Sequence, residues 1–204
     1  MDAEPWAGFL DAPVVTDHPY VGALRLPDTA LPEAPQDAPL RAVVSGGAAQ
    51  LSGPVELSRR RGLDLTAIET ALRDLADPAG NARRVAAAAD AAGLGGEEPP
   101  TLYVAVAGEP TASWLAALDE VAAAEHALTL DLDGPALESW IDAALDRELR
   151  FSLVGGSPSA AVEAVRITAR LWGDPGDLAA GRRWCRSWAC TDVGKAVTVL
   201  DEAQ

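Results

Sequence analysis

Segments with the hydrophobic pattern of a strand alternate with segments that have the pattern of a helix, from residue 40 to residue 173. Short apolar runs at 101–108 (TLYVAVAG), 126–134 (HALTLDLDG) and 150–156 (RFSLVGG) are each followed by a helical pattern. Repeated strand–helix units are typical of a parallel sheet with right-handed crossovers. This alternation constrains the fold more than any other feature of the chain, and it predicts an α/β protein.

The number of strand–helix units favours a barrel. We count about five units after residue 40 and one strand before it. A complete eightfold TIM barrel usually takes ~250 residues, with ~200 close to the minimum, and this chain has 204. The sequence therefore predicts a TIM-barrel-like array of parallel βα units, complete or incomplete. An open doubly wound sheet is the alternative.

The segment LDLTAIETALRDL (63–75) fits two types of secondary structure. Its composition favours a helix, and TAIE at 66–69 fits a helix capping box. A strand at 64–72 would instead keep the alternation regular, because a helical pattern with Asp77 as its cap and Pro78 at its first position comes next. We predict the strand.

The first 39 residues contain seven of the fifteen prolines of the chain. Proline removes a backbone donor and clashes with the preceding turn, so this region cannot be a long helix. We predict an N-terminal arm over 1–39 with one short strand at 21–26, and disorder is the alternative for 1–12 and 28–38. Residues 40–204 then form a single βα domain with C-terminal helices.

Both cysteines lie in the motif RRWCRSWACTDVG (182–194). In one helix Cys185 and Cys190 would be roughly 8 Å apart, which exceeds the ~7 Å limit for a disulfide. Trp184 and Trp188 are four residues apart and would share one helical face. We predict two short helices in this tail, broken around Thr191, and interpret the motif as a docking helix that closes the array.

The formal net charge of −15 constrains the partners. Nucleic-acid affinity depends on cationic residues that neutralise phosphates, so we expect no nucleic-acid partner and no anionic membrane partner. No run approaches the ~20 apolar residues of a membrane span, and the acidic N-terminus does not resemble a signal peptide. We therefore expect a cytoplasmic protein. An incomplete barrel would have open strand edges, which a second copy in a homodimer could cover.

Sites in parallel βα folds lie at the C-terminal ends of the strands, and this chain has two glycine-containing turns there. Glycines before a helix start let backbone amides approach an anion. We predict that a small-molecule anion is bound by residues from these ends: Gly46, Gly47, Arg73, Gly155, Gly156 and Ser157. Ordinary tight βα turns are the alternative, because neither segment matches a P-loop or a dinucleotide-binding motif.

Three carboxylates are candidates for catalysis: Glu69, Asp131 and Asp133. The two aspartates are two residues apart at a strand end, so both can point to the same side. With Glu69 they could hold Mg²⁺ or act as acid and base, whereas a loop-facing Asp133 that caps the next helix is the alternative.

The histidines do not support other catalytic chemistry. His18 lies in the arm and His126 lies at the start of a strand, so neither suits a Ser-His-Asp triad or a zinc site at the strand ends. The sequence predicts no metal site and no cofactor, with Mg²⁺ as the open alternative.

Two stretches, ALRDLADPAGNARRVAAAADA (71–91) and RRWCRSWACTDVGKAVTVL (182–200), resemble an uncharacterised actinobacterial family of longer proteins that look like TIM barrels. The resemblance runs from PLRAVVSGGAA to the C-terminus and implies a barrel for this chain. In the family, the strand that matches RFSLVGG continues into a segment like Gly-Leu-His-His, which has the character of a site. This chain has GGSPSAA there, and DLDG in place of the basic, glycine-rich end of the preceding strand.

These observations leave two classes of function open. The first is binding or conversion of a small anionic metabolite at the C-terminal ends of the strands. The second is a degenerate, non-catalytic barrel that acts as an interaction or assembly module, and the departures from the family pattern favour it slightly. The sequence does not decide whether the protein is an enzyme.

Overall fold

The structure is a computed structural model that describes residues 5–94 and 99–203. Within these residues, eight parallel strands follow one another around a barrel in chain order, and the first pairs with the last. The strands are β1 (Leu10–Ala12), β2 (Val21–Pro27), β3 (Leu40–Val44), β4 (Leu65–Ala71), β5 (Thr101–Ala105), β6 (Ala127–Asp131), β7 (Phe151–Val154) and β8 (Cys185–Ala189). The predicted TIM-barrel-like fold is confirmed and the barrel is complete, so the alternative of an open doubly wound sheet is wrong.

Helices connect most successive strands. They are α1 (Ser52–Arg61), α2 (Pro78–Ala92), α3 (Ala112–Ala123), α4 (Leu137–Leu145), α5 (Pro158–Trp172), α6 (Leu178–Trp184) and α7 (Val193–Glu202), with 3₁₀ helices at Asp28–Glu33 and Gly47–Gln50. The helices found in residues 5–94 and 99–203 do not combine the length and the hydropathy that a membrane-spanning helix needs.

Helices α2 and α5 begin at side-chain caps, and the cap of α2 is Asp77, as predicted. The side chain of Asp77 accepts the N–H of Gly80 at the start of α2, and the hydroxyl of Ser157 accepts the N–H of Ala160 at the start of α5. Each cap satisfies a backbone donor that has no partner inside the helix.

The ambiguous segment at 64–72 is a strand, as predicted. Leu65–Ala71 forms β4 and pairs with β3 on one side and β5 on the other. Its side chains point alternately to the two faces of the sheet. Ile68 packs in the apolar core, whereas Glu69 contacts residues of the barrel interior. These tertiary contacts outweigh the local preference for a helix.

The N-terminal region contributes two strands where the sequence indicates one. β2 covers the expected strand at 21–26, and β1 lies within the segment for which disorder is the alternative. Residues 1–4 lie outside the described residues. β1 pairs with β2 and with β8, so the chain before residue 40 is part of the barrel. Three residues are too few for a recognisable alternation pattern, which explains why the sequence does not reveal β1.

The interpretation of residues 182–194 as a docking helix is wrong. Helix α6 ends at Trp184, and Cys185–Ala189 is the strand β8. Trp184 and Trp188 therefore do not share a helical face. Pairing of β8 with both β7 and β1 closes the barrel, and these bonds between distant segments override the local pattern. The two helices expected in this tail correspond to α6 and α7, but α6 ends at Trp184 and not near Thr191.

The main apolar core lies between the strands and the helices. Ile68, Leu128 and Phe151 project from their strands into this layer, where they pack with helix residues such as Leu118 and Val165. Alternate residues of the same strands face the barrel interior. Many of these interior residues are polar: Asp11, Arg25, Arg41, Glu69, Tyr103, Thr129, Ser152 and Ser187.

Candidate functional site

A buried arginine lies at the centre of the barrel interior. The side chain of Arg41 on β3 is only 2% exposed. Its Nη1 donates to Oδ2 of Asp11 at 2.8 Å, and its Nη2 lies 3.0 Å from Oε2 of Glu69. TIM barrels are usually filled with branched apolar side chains at this position. A buried charge is costly unless it is paired, and Arg41 is paired with two carboxylates.

Three hydroxyl groups and one aromatic ring complete the surroundings of Arg41. Its guanidinium donates to Oγ of Ser152 at 2.6 Å, Oγ of Ser187 at 3.0 Å and Oγ1 of Thr129 at 3.2 Å. The ring of Tyr103 lies 4.0 Å from the guanidinium carbon, as a cation–π contact requires. These contacts connect β3 to four other strands, so the network fixes the interior of the barrel.

Arg25 extends this network toward solvent. Its Nη2 donates to Oε1 of Glu69 at 2.8 Å and its Nε donates to Oε2 at 3.3 Å, which is a two-pronged pairing. The side chain of Arg25 is 28% exposed, compared with 8% for Glu69. The charges of Arg25 and Arg41 balance those of Asp11 and Glu69. Arg25 is therefore the member of the interior network that a dissolved molecule can reach.

The rim at the C-terminal end of the barrel consists mainly of small or apolar residues. Because strand side chains alternate, the residues two positions beyond the network face the same interior. On β4 and β5 these are Ala71 and Ala105, next to Val43 on β3, and on β6 and β7 they are Asp131 and Val154. Ala71 and Asp131 are exposed and the other three are half-buried. We call this end of the barrel, next to the partly exposed side chain of Arg25, the mouth.

One side of the mouth contains five of the residues predicted from the sequence: Asp131, Asp133, Gly155, Gly156 and Ser157. The N–H of Gly156 donates to Oδ2 of Asp133 at 2.9 Å, and the N–H of Asp133 donates to Oδ1 of Asp131 at 3.0 Å. Ser157 caps α5. The glycine turn thus binds a carboxylate of the protein itself.

A tryptophan from β8 holds this turn in place. The indole N–H of Trp188 donates to the carbonyl oxygen of Gly155 at 2.9 Å. Gly155 has a φ of +72°, and a Cβ there would lie 2.8 Å from Oδ2 of Asp133 and 2.9 Å from Oδ1 of Asp131. Both carboxylates therefore converge on this glycine, and a side chain at this position would displace them.

The remaining predicted residues lie at the ends of β3 and β4. The guanidinium of Arg73 donates to the carbonyl oxygen of Ser45, and a Cβ on Gly47 would lie 2.9 Å from Cγ of Arg73. Gly46 precedes Gly47 at the start of the 3₁₀ helix. The structure thus places the predicted residues in two groups on different sides of the mouth, with Glu69 in the interior.

The sequence analysis missed most of the interior network. The network residues that were not predicted as site residues do not follow from the rule that sites in parallel βα folds lie at the C-terminal strand ends: Asp11, Arg25, Arg41, Thr129, Ser152 and Ser187. One signal was available: single polar residues interrupt the apolar runs LRAVV, ALTLD and FSLV at alternate positions. Such residues face the side opposite the apolar core.

The groups most suited to nucleophilic chemistry are held in their neutral forms. Burial raises the pKa of Cys185 to about 12 and the pKa of Cys190 to about 11. Burial also raises the pKa of Tyr103, although the charge of Arg41 opposes this change. Burial lowers the pKa of His126, which precedes β6 at the opposite end of the barrel. Within the described residues, no three His, Cys, Asp or Glu side chains are arranged to hold a metal ion.

The two thiols should be unreactive in the folded protein. At pH 8 a thiol-specific chromogenic reagent is expected to detect neither Cys185 nor Cys190 in native protein, and both after denaturation, because only the thiolate reacts. Since the folded state raises the pKa of Cys185 from 9.0 to about 12, its stabilising contribution is complete below pH 9 and is lost as the pH rises toward 12. Cys185→Ala should flatten the decline of unfolding free energy in this window. Rapid labelling of the native protein at pH 8 would contradict the expectation that both thiols are buried and protonated.

The fold and the site define an α/β barrel of the TIM type with a charge-paired polar interior that opens at the C-terminal ends of the strands. The chain matches no protein-family model, and a search of curated proteins likewise finds no match.

Proposed function

We propose that the protein binds a small anionic metabolite in the mouth of the barrel, with Arg25 as the anion-binding group. The observation that carries this proposal is the position of Arg25. Its side chain is 28% exposed, whereas the side chains of Glu69 and Arg41 are buried, and Glu69 accepts two hydrogen bonds from its guanidinium.

Arg25 has donor capacity left for a ligand. Within residues 5–94 and 99–203, no group accepts a hydrogen bond from its Nη1. A guanidinium presents planar, paired donors that match a carboxylate or a phosphate. Partial removal of water strengthens such a contact relative to one on the open surface.

The residues below Arg25 keep it in position. Glu69 contacts Arg25 on one side and Arg41 on the other, and Arg41 is bound by further side chains of the barrel interior. A binding group that is fixed in advance loses less conformational entropy when the ligand arrives.

Binding fits the geometry better than catalysis. Both carboxylate oxygens of Glu69 already accept hydrogen bonds or ion pairs from two arginines, so Glu69 is poorly placed to take a proton from a ligand. The thiols and Tyr103 are held neutral by burial, which raises the pKa of each. The sequence resemblance to the actinobacterial family is consistent with this proposal, since this chain lacks the family's paired histidines.

The proposal is tested with simple anions. Binding of phosphate, acetate, succinate and citrate to the wild-type protein is measured by isothermal titration calorimetry and thermal shift. We expect Arg25→Gln to weaken the best of these ligands by about tenfold or more, because a hydrogen-bonded charge pair is lost. Arg60→Gln, on the exposed face of α1, is the matched control and should leave the affinity unchanged. Equal affinity of the two variants would refute the role of Arg25.

A second function, an interaction or assembly module without a ligand, is favoured by one observation. The glycine turn after β7 already binds the carboxylate of Asp133, so its amide is not free for an external anion. Light scattering coupled to size-exclusion chromatography tests whether the protein forms a homodimer. A dimer together with no response to any anion would favour this second function.

A further inference from the structure

The mouth of the barrel has charges of opposite sign on opposite sides. In a closed barrel of eight strands in chain order, β2 and β6 are four strands apart in either direction, so they face each other. Arg25 lies on β2 and Asp131 ends β6. The guanidinium of Arg25 extends to Glu69, whose register partner on β3 is Val43, so it approaches the level of the rim.

The carboxylate of Asp131 is available to a ligand. Asp131 is exposed, and among residues 5–94 and 99–203 its Oδ1 accepts only the backbone N–H of Asp133. Within the described part of the chain no cationic side chain forms an ion pair with it. The carboxylate of Asp133 lies close by, because both carboxylates approach Gly155. This side of the mouth is therefore negative.

The strand residues that face the mouth between these two sides are neutral, whereas Arg73, which follows β4, donates its guanidinium to the carbonyl oxygen of Ser45. Ala71 and Val43 lie on one flank, and Val154 lies on the other. A ligand in the mouth thus meets a positive group at one end, small apolar side chains along its length, and a negative pair at the other end. Charge complementarity across a site determines which ligands are selected.

We propose that the ligand is zwitterionic: a small ω-amino carboxylate whose carboxylate binds Arg25 and whose ammonium group lies against Asp131 and Asp133. This inference rests on the proposed function, because it requires Arg25 to bind the anionic end. An ammonium group offers three donors to the two carboxylates, whereas a dianion would place its second negative charge against them.

Matched probes that differ only in the amino group test the inference. Affinities are measured by calorimetry for butanoate against 4-aminobutanoate and for hexanoate against 6-aminohexanoate. The amino compound of at least one pair should bind about threefold to tenfold more tightly, as expected for a partly exposed charge pair. Asp131→Asn should remove this advantage and leave the plain carboxylates unaffected, since the amide oxygen still accepts the N–H of Asp133. Arg25→Gln should weaken both members of each pair.

Asp142→Asn is the matched control, because Asp142 is exposed on the outer helix α4. It should preserve the preference for amino compounds. If plain and amino carboxylates bind equally to the wild type, or if Asp131→Asn keeps the preference, the zwitterion inference is wrong while the anion-binding function stands. If no probe binds, and phosphate and citrate do not bind either, both proposals are wrong.

Discussion

Replacement of Arg41 by methionine should lower the free energy of unfolding by about 3–5 kcal/mol, because removal of one partner leaves a buried charge without compensation. Asp11 is affected most, since among the residues that the structure describes its carboxylate then keeps only the hydroxyl of Ser187, at 2.7 Å. Glu69 still has Arg25. Urea denaturation followed by circular dichroism measures the change. An intermediate loss is expected for Arg41→Lys, which keeps the charge but loses the planar fork.

Two comparisons show whether this loss comes from the buried network. Arg83→Met removes a surface ion pair with Glu120 in which Arg83 is 58% exposed, and it should change the stability by less than about 1 kcal/mol. The double variant Asp11→Asn/Arg41→Met removes both charges of one pair and should recover part of the stability. If Arg41→Met costs no more than Arg83→Met, the interior network does not stabilise the barrel.

Alanine at Gly181 should destabilise the protein by about 1–3 kcal/mol or more, although alanine normally stabilises a helix. A Cβ at this position in α6 would collide with the carbonyl oxygen of Val165 and lie 2.9 Å from its Cγ1. The carbonyl belongs to α5 and cannot rotate away, so the two helices must separate. Because α6 leads directly into β8, this separation would also strain the strand that closes the barrel.

The replacement Gly53→Ala should not destabilise the protein, in contrast to Gly181→Ala. Gly53 lies in α1, and a Cβ there would meet no atom within 4 Å. Its replacement should leave the stability unchanged or raise it by up to about 1 kcal/mol. Thermal unfolding of both variants gives the sign of each effect. A stabilising Gly181→Ala would show that α5 and α6 do not approach as closely as described.

The candidate site was partly predictable from the sequence. Asp131, Asp133, Gly155 and Gly156 lie together at the mouth because C-terminal strand ends meet there in any parallel barrel, which general rules for the fold anticipate. Arg41 was not predictable in this way. It lies early in its strand, and its partners come from strands that are far apart in sequence.

Asp11 and Ser187 were not predictable either, because the sequence does not reveal the strands in which they lie. Asp11 lies in a strand of three residues, and Ser187 lies in a segment whose tryptophan spacing favours a helix. A residue cannot be assigned to the barrel interior before its strand is recognised. The buried ion pair between Arg41 and Asp11 therefore cannot be predicted until both of their strands are assigned.

Local patterns were sufficient for the alternation of strands and helices, for the cap at Asp77, and thus for the α/β class. These features depend on neighbouring residues, whose periodicity and capping chemistry act over short distances. Closure of the barrel depended instead on the pairing of β1 with β8, and the polar interior depended on contacts between side chains from all eight strands. Both arise from contacts between residues far apart in the chain. Such contacts cannot be predicted from the pattern of any single segment.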